Sequence, residues 1–332
     1  MSMALRSGAF QLPMVFVVGC PRSGTSWISE ALAQSPRVAL TQDAVILDIF
    51  LGPWWDRIHP DGEFLAPKQG PVGKLWLDVL ERLFVLRRPG WYGEWRDILM
   101  RYFDERLPFI LYQSGFSKRG TPLSDGREHL VSYEKLVELI EQVEDKVSHW
   151  PHDAKAAWVA DMIFIHYSAS HKVSGGEPLL VDKSPGHLFS GEFLLTHFPG
   201  AKIIEAVRDG REVCADMDAH STWMPEDREA QIFLWKRFTE AGRELAENPS
   251  FKDRILTVRF EDMQHQPEAE IEKIYGFVGL KVPEGDSSTL AQSMGSHDAP
   301  PESAWRQHFS DEDTQHFRSE AGEMFERLGY TW

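Results

Sequence analysis

The chain has 332 residues, of which 42% are apolar and 26% charged, a size and balance that suit one large globular domain carrying a sizeable insertion. Its formal charge of −16 excludes a broad nucleic-acid footprint, which needs clustered Lys and Arg, and disfavours an acidic macromolecular acceptor. Local basic pockets remain compatible with that balance.

The first apolar run, Met14-Val15-Phe16-Val17-Val18, reads as a fully buried strand. It is too short to span a bilayer and lacks the flanks of a secretory signal, so a cytoplasmic location is expected. A glycine-rich turn from Gly19 to Gly24 follows. Trp27-Ile28 and Ala31-Leu32 then recur at helical spacing. Strand, glycine turn and helix open an α/β fold with a parallel sheet.

Residues 51–170 break this rhythm with Trp, Arg and Pro-Gly punctuation, and read as a mostly helical insertion. Such a segment either builds the acceptor side of the site or caps the domain structurally. Its Trp54, Trp55, Trp76, Trp91, Trp95 and Trp158 suit an aromatic-lined cleft for a small-molecule or lipid-like hydroxyl acceptor. Across the chain, 12 Trp and 20 Phe point first to a thick core.

Three further strands are expected at Leu179-Leu180-Val181, at Lys202 to Val207 and at Ile255 to Val258, with helices over 186–198, 211–219 and 227–247. The alternation predicts a doubly wound parallel sheet of P-loop type flanked by helices. The expected organisation is a single domain over 1–332, with 12–50 and 178–280 forming the nucleotide-binding core. Cys20 and Cys214 lie in apolar stretches and read as buried free thiols. The 13 His are scattered, and no Cys or His spacing suits a metal, so none is expected.

Gly19-Cys20-Pro21-Arg22-Ser23-Gly24-Thr25-Ser26 carries the strongest chemistry. Glycines let the backbone curl so that successive N–H groups face an anion, and the helix N-terminus adds its positive end. A nucleotide triphosphatase places Lys where this chain has Thr25. Arg22 sits inside the loop instead, where a guanidinium neutralises a phosphate or sulfate without a metal ion.

The string Pro21-Arg22-Ser23-Gly24-Thr25-Ser26-Trp27 closely resembles the 5′-phosphosulfate loop of the sulfotransferase family. Ala206-Val207-Arg208-Asp209-Gly210 resembles the family's 3′-phosphate element. Asp182-Lys183-Ser184-Pro185 and Val258-Arg259-Phe260-Glu261-Asp262-Met263 resemble further motifs of the branch that holds tyrosylprotein sulfotransferases and bacterial relatives. The resemblance covers about residues 12–50 and 178–332 and not the insertion.

It implies sulfuryl transfer from 3′-phosphoadenosine 5′-phosphosulfate to a hydroxyl or amine, without a metal. Arg22, Ser23, Gly24, Thr25, Ser26 and Trp27 would hold the 5′ end, Arg208 would pair with the 3′-phosphate, and Phe260 falls in the nucleotide site. Lys183 falls on the catalytic Lys of that branch. Asp43 falls where the branch has a Glu base, and reads equally as a helix or loop cap.

One departure stands out. Eight residues after Arg208 the family places a Ser against the 3′-phosphate, and here the residue is Asp216. A carboxylate repels a phosphate. Either Asp216 points away, or the 3′ pocket is altered, or the donor differs. A P-loop kinase or hydrolase, with Asp182 as a magnesium ligand, is the competing reading, and a non-catalytic nucleotide-binding relative is a third. A homodimer is compatible with all of these.

Overall fold

The computed structural model describes residues 13–42, 179–220, 225–283 and 304–332. The expected insertion at 51–170, its tryptophans and Asp43 lie outside them.

Five strands form one parallel sheet among the described residues: β1 Met14–Gly19, β2 Val38–Gln42, β3 Leu179–Lys183, β4 Ala201–Val207 and β5 Ile255–Arg259. Their spatial order is β2-β3-β1-β4-β5. β1 is central, with Val17 opposite Lys183 on one side and Ile204 on the other. Every residue of β1 is buried. Helices cover both faces of such a sheet, so its central strands are continuous apolar runs with no alternation to read. The α/β doubly wound class expected from the sequence is the one observed.

The helices follow as α1 Thr25–Ala33, α2 Gly191–His197, α3 Gly210–His220, α4 Arg228–Glu247, α5 Phe260–His265, α6 Pro267–Val278 and α7 Asp311–Arg327. Ile28 and Leu32 of α1 and Ile271 and Ile274 of α6 pack with Val15, Val17, Val181 and Ile204 in one core cluster. The other face receives α4. There Trp235, Phe317 and Phe325 stack within 5.4 to 6.5 Å of one another, joining α4 to α7. Part of the aromatic surplus is thus core, as the composition suggests.

Local chemistry sets the boundaries. The Asp227 side chain accepts from the Glu229 amide and starts α4. Ser310 and Asp313 form a reciprocal capping box on α7. α6 ends where Gly279 turns left-handed at φ 79°.

Two expectations need correction. The single helix over 186–198 is a 3-10 turn, Pro185–Ser190, followed by α2. The junction is closely packed, since a Cβ on Gly191 would stand 2.4 Å from Leu245. β2 is a strand that sequence patterning misses, because Val38-Ala39-Leu40 offers only three apolar residues before Thr41 and Gln42. Pairing with β3 makes the strand.

Cys20 and Cys214 are buried free thiols. Burial pushes Cys214 up to about 12 and Cys20 well above its usual range, so neither offers a thiolate. No described helix is long and apolar enough to cross a membrane.

β4 also buries Glu205, 4% exposed, against Gly242 of α4. The Thr257 hydroxyl donates to it at 3.1 Å. Desolvation outweighs that bond and raises its carboxyl to about 7. Between pH 4.5 and 7 the folded state therefore binds more protons than the unfolded chain, and stability falls as pH rises. The penalty is fully present above pH 7 and amounts to about 3 kcal/mol. Glu205→Gln is expected to raise the melting temperature by several degrees at pH 8 and to change little at pH 4.5. Equal shifts at both pH values would contradict the assignment.

Candidate active site

The glycine loop connects β1 to α1. Gly19 leaves the strand at φ 134°, and a Cβ there would lie 2.3 Å from the Ala206 carbonyl oxygen of β4. Arg22 adopts φ 72°, rare for a residue with a side chain. The Ser23 amide donates to the Cys20 carbonyl at 3.1 Å and closes the turn. Gly24, at φ 93°, caps α1, and a Cβ on it would meet Phe260 at 2.6 Å and Met263 at 2.8 Å. The loop is therefore pressed against α5, which follows β5 directly.

Thr25 is buried, Ser26 is exposed and Trp27 half-buried. The Ser23 hydroxyl is fully buried and has no hydrogen-bond partner among the described residues. A buried orphan hydroxyl in a loop of inward-curled amides suits an anion that supplies the missing acceptor.

Arg208 follows directly after β4 and is 3% exposed. Its Nη1 donates to the Arg22 carbonyl oxygen at 2.8 Å and to Asp216 Oδ2 at 2.9 Å. Its guanidinium lies 4.4 Å from the centre of the Phe260 ring. Asp216, on α3, takes a second guanidinium through its other oxygen: Arg22 Nη2 donates to Oδ1 at 2.8 Å. The two arginines singled out in the sequence thus meet across one carboxylate. Burial alone would raise the Asp216 carboxyl, but the hydrogen bonds and charges of Arg22 and Arg208 outweigh it and hold it below its usual range. Of the two cations, Arg22 is the accessible one, its side chain 37% exposed against 4% for Arg208.

The turn after β4 is anchored from α5 and from the C-terminal segment. Glu261 accepts the Asp209 amide at 2.8 Å and the Tyr330 hydroxyl at 3.0 Å. Asp209 accepts the Arg211 amide at 2.9 Å and pairs with its guanidinium at 2.7 Å. Arg211 is also enclosed by Trp305 and Phe325, at 4.3 and 4.5 Å. A cavity of about 500 Å³ opens beside this turn and is bordered by Arg208, Phe260, Arg306 and Trp332.

Lys183 ends β3 and is buried. It lies beside Val17 in the sheet and shares strand parity with Leu179 and Val181, which pack on the α1 side. Asp182, one residue earlier, has the opposite parity. Its Oδ1 accepts from the Ser184 hydroxyl at 3.1 Å and its Oδ2 pairs with His187 Nδ1 at 2.5 Å. Both oxygens are engaged inside the protein, a poor arrangement for a magnesium ligand. Reading the sequence missed this clamp. The D-x-S-x-x-H spacing just past an apolar strand was its signal.

The glycine loop after the central strand and the two guanidiniums beside it define an α/β protein of the P-loop type with Thr25 in place of the P-loop lysine. The family described as Sulfotransferase family matches residues 121–284. Over those residues, just under half of its length, the chain is similar to the sulfotransferase family. Its fold is similar to that of the sulfotransferase STF9 from Mycobacterium avium, with a TM-score of 0.50 and 14% identity over 98% of this chain and 79% of that one. Lower similarity extends to the sulfotransferase domain of the Synechococcus PCC 7002 olefin synthase, with a TM-score of 0.46 and 16% identity over 97% of each chain. A sulfotransferase from Alicyclobacillus acidocaldarius gives a TM-score of 0.44 and 14% identity over 96% of this chain and 97% of that one. Among curated protein sequences, none matches this chain.

Proposed function

We propose that this protein transfers a sulfuryl group from 3′-phosphoadenosine 5′-phosphosulfate to a hydroxyl or amine of a small, apolar acceptor. The observation that carries the reading is the meeting of Arg22 and Arg208 at Asp216, 2.8 and 2.9 Å away, at the mouth of the glycine loop.

In this reading the amides and hydroxyls of Ser23, Gly24, Thr25 and Ser26 receive the 5′-phosphosulfate, and Arg22 offsets its charge. Trp27 and Phe260 present aromatic faces to the nucleotide. Arg208 sits at the 3′ end. The acceptor oxygen bonds to sulfur as the bond from sulfur to the bridging oxygen breaks. That oxygen departs with the 3′,5′-bisphosphate, and its growing charge is met by Lys183. The acceptor's proton passes to a carboxylate, for which Asp43 is the candidate. Catalysis of this kind is positioning plus electrostatics.

The kinase reading is disfavoured by Thr25 in the lysine position and by the internal engagement of Asp182. Calorimetric titration separates the two. Adenosine 3′,5′-bisphosphate is expected to bind with micromolar or tighter affinity and Mg-ATP not to bind. The reverse order of affinities would sink the sulfotransferase chemistry in favour of phosphoryl transfer.

A further inference from the structure

We propose that Asp216 is a specificity-determining residue that suppresses recognition of the donor's 3′-phosphate, so that the site accepts adenosine 5′-phosphosulfate alongside its 3′-phosphorylated form. The inference rests on the donor reading given above.

Three observations carry it. The carboxylate occupies the space between the two guanidiniums, one oxygen on each, at 2.8 and 2.9 Å. A phosphate oxygen that reached Arg208 Nη1 along the same approach would meet Asp216 Oδ2 at contact distance. Arg208 is buried, is covered by Phe260 and already donates to the Arg22 carbonyl, so it has little freedom to swing toward a ligand while the ion pair stands. Last, the charges of Arg22, Arg208 and Asp216 sum to a single positive unit. Replacing the carboxylate by a hydroxyl would double that charge and leave a donor where a repulsive acceptor stood.

A 3′-phosphate must therefore part an existing buried ion pair before it gains its own, and its net contribution to affinity is small. A 3′-hydroxyl meets no such conflict, because it can donate a hydrogen bond to the carboxylate. Asp216 also holds Arg22 at 2.8 Å, so a substitution there can change binding of the 5′ end as well, and the effect on the 3′ end is read only from the ratio of the two nucleotides.

The test is a ratio measured within each protein. Titration calorimetry with adenosine 5′-monophosphate and adenosine 3′,5′-bisphosphate gives the gain in affinity due to the 3′-phosphate alone, and any general effect of a substitution on the loop cancels. In the native protein the gain is expected to be under about tenfold. In Asp216→Ser it is expected to rise by a further factor of ten or more, on the scale of one charge-assisted hydrogen bond. Asp216→Asn, which keeps the shape of the side chain, is measured in parallel and is expected to move the same way, so a misfolded serine variant does not end the test. An unchanged ratio in the folded variants overturns the inference alone. A native ratio already of a thousandfold does the same. Failure of every folded protein to bind either nucleotide overturns the inference together with the donor reading.

Discussion

Lys183→Ala is expected to lower turnover by on the order of a hundredfold to a thousandfold while leaving the dissociation constant of adenosine 3′,5′-bisphosphate within a few fold. The expectation follows from position. Lys183 is the last residue of β3, which lies beside β1, so it stands at the same carboxyl end of the sheet from which the glycine loop departs, with the strand parity of Leu179 and Val181. A cation there meets charge that develops on the leaving oxygen only as the bond to sulfur breaks, and binding of the finished product is supplied by other groups. The Asp182 clamp with Ser184 and His187 fixes the turn immediately after it. Single-turnover kinetics with the phosphosulfate donor separate the two quantities. A variant with full turnover would remove Lys183 from the chemistry, and one that lost binding instead would make it a ligand of the ground state.

Arg22→Ala is expected to weaken bisphosphate binding by at least a hundredfold. Arg22 is the cation of the pair that solvent, and hence a ligand, can reach. Its loss removes the charge opposite the 5′ end and one of the two guanidiniums that offset the Asp216 carboxylate, so the local potential becomes less positive. Alanine at φ 72° also costs conformational energy, so the melting temperature of the variant must be read beside its affinity. Arg22→Lys keeps the charge without the planar fork and is expected to recover part of the affinity. Binding unchanged in a folded Arg22→Ala protein would move the anion site elsewhere.

Much of the core was legible because a buried parallel strand needs an unbroken apolar run and a glycine turn needs glycine. β1, β3, β4 and β5 met that condition. β2 did not, since an edge strand with three apolar residues is made by its pairing with β3 rather than by its own composition. The helix expected over 186–198 starts instead as the 3-10 turn Pro185–Ser190 and becomes α-helical only from Gly191.

In the site, the loop and both arginines could be read one residue at a time, but the role of Asp216 could not. Its sequence position suggested conflict with a phosphate. Only the fold brings α3 back against the loop, so that the same carboxylate serves as the link between Arg22 and Arg208. The Glu261 anchor that ties the turns after β4 and β5 to Tyr330 is likewise a product of tertiary packing.

The central claim is that one nucleotide spans these two loops, its 5′ end on the glycine loop and its 3′ end beside Arg208. A crystal structure of the protein with adenosine 3′,5′-bisphosphate tests it most directly. The account predicts the 5′-phosphate seated on the amides of Ser23 to Ser26 with Arg22 in hydrogen-bond reach, and the ribose 3′ end beside Arg208 and Asp216. A nucleotide bound away from the glycine loop, or a loop whose amides face no phosphate in the complex, would contradict it.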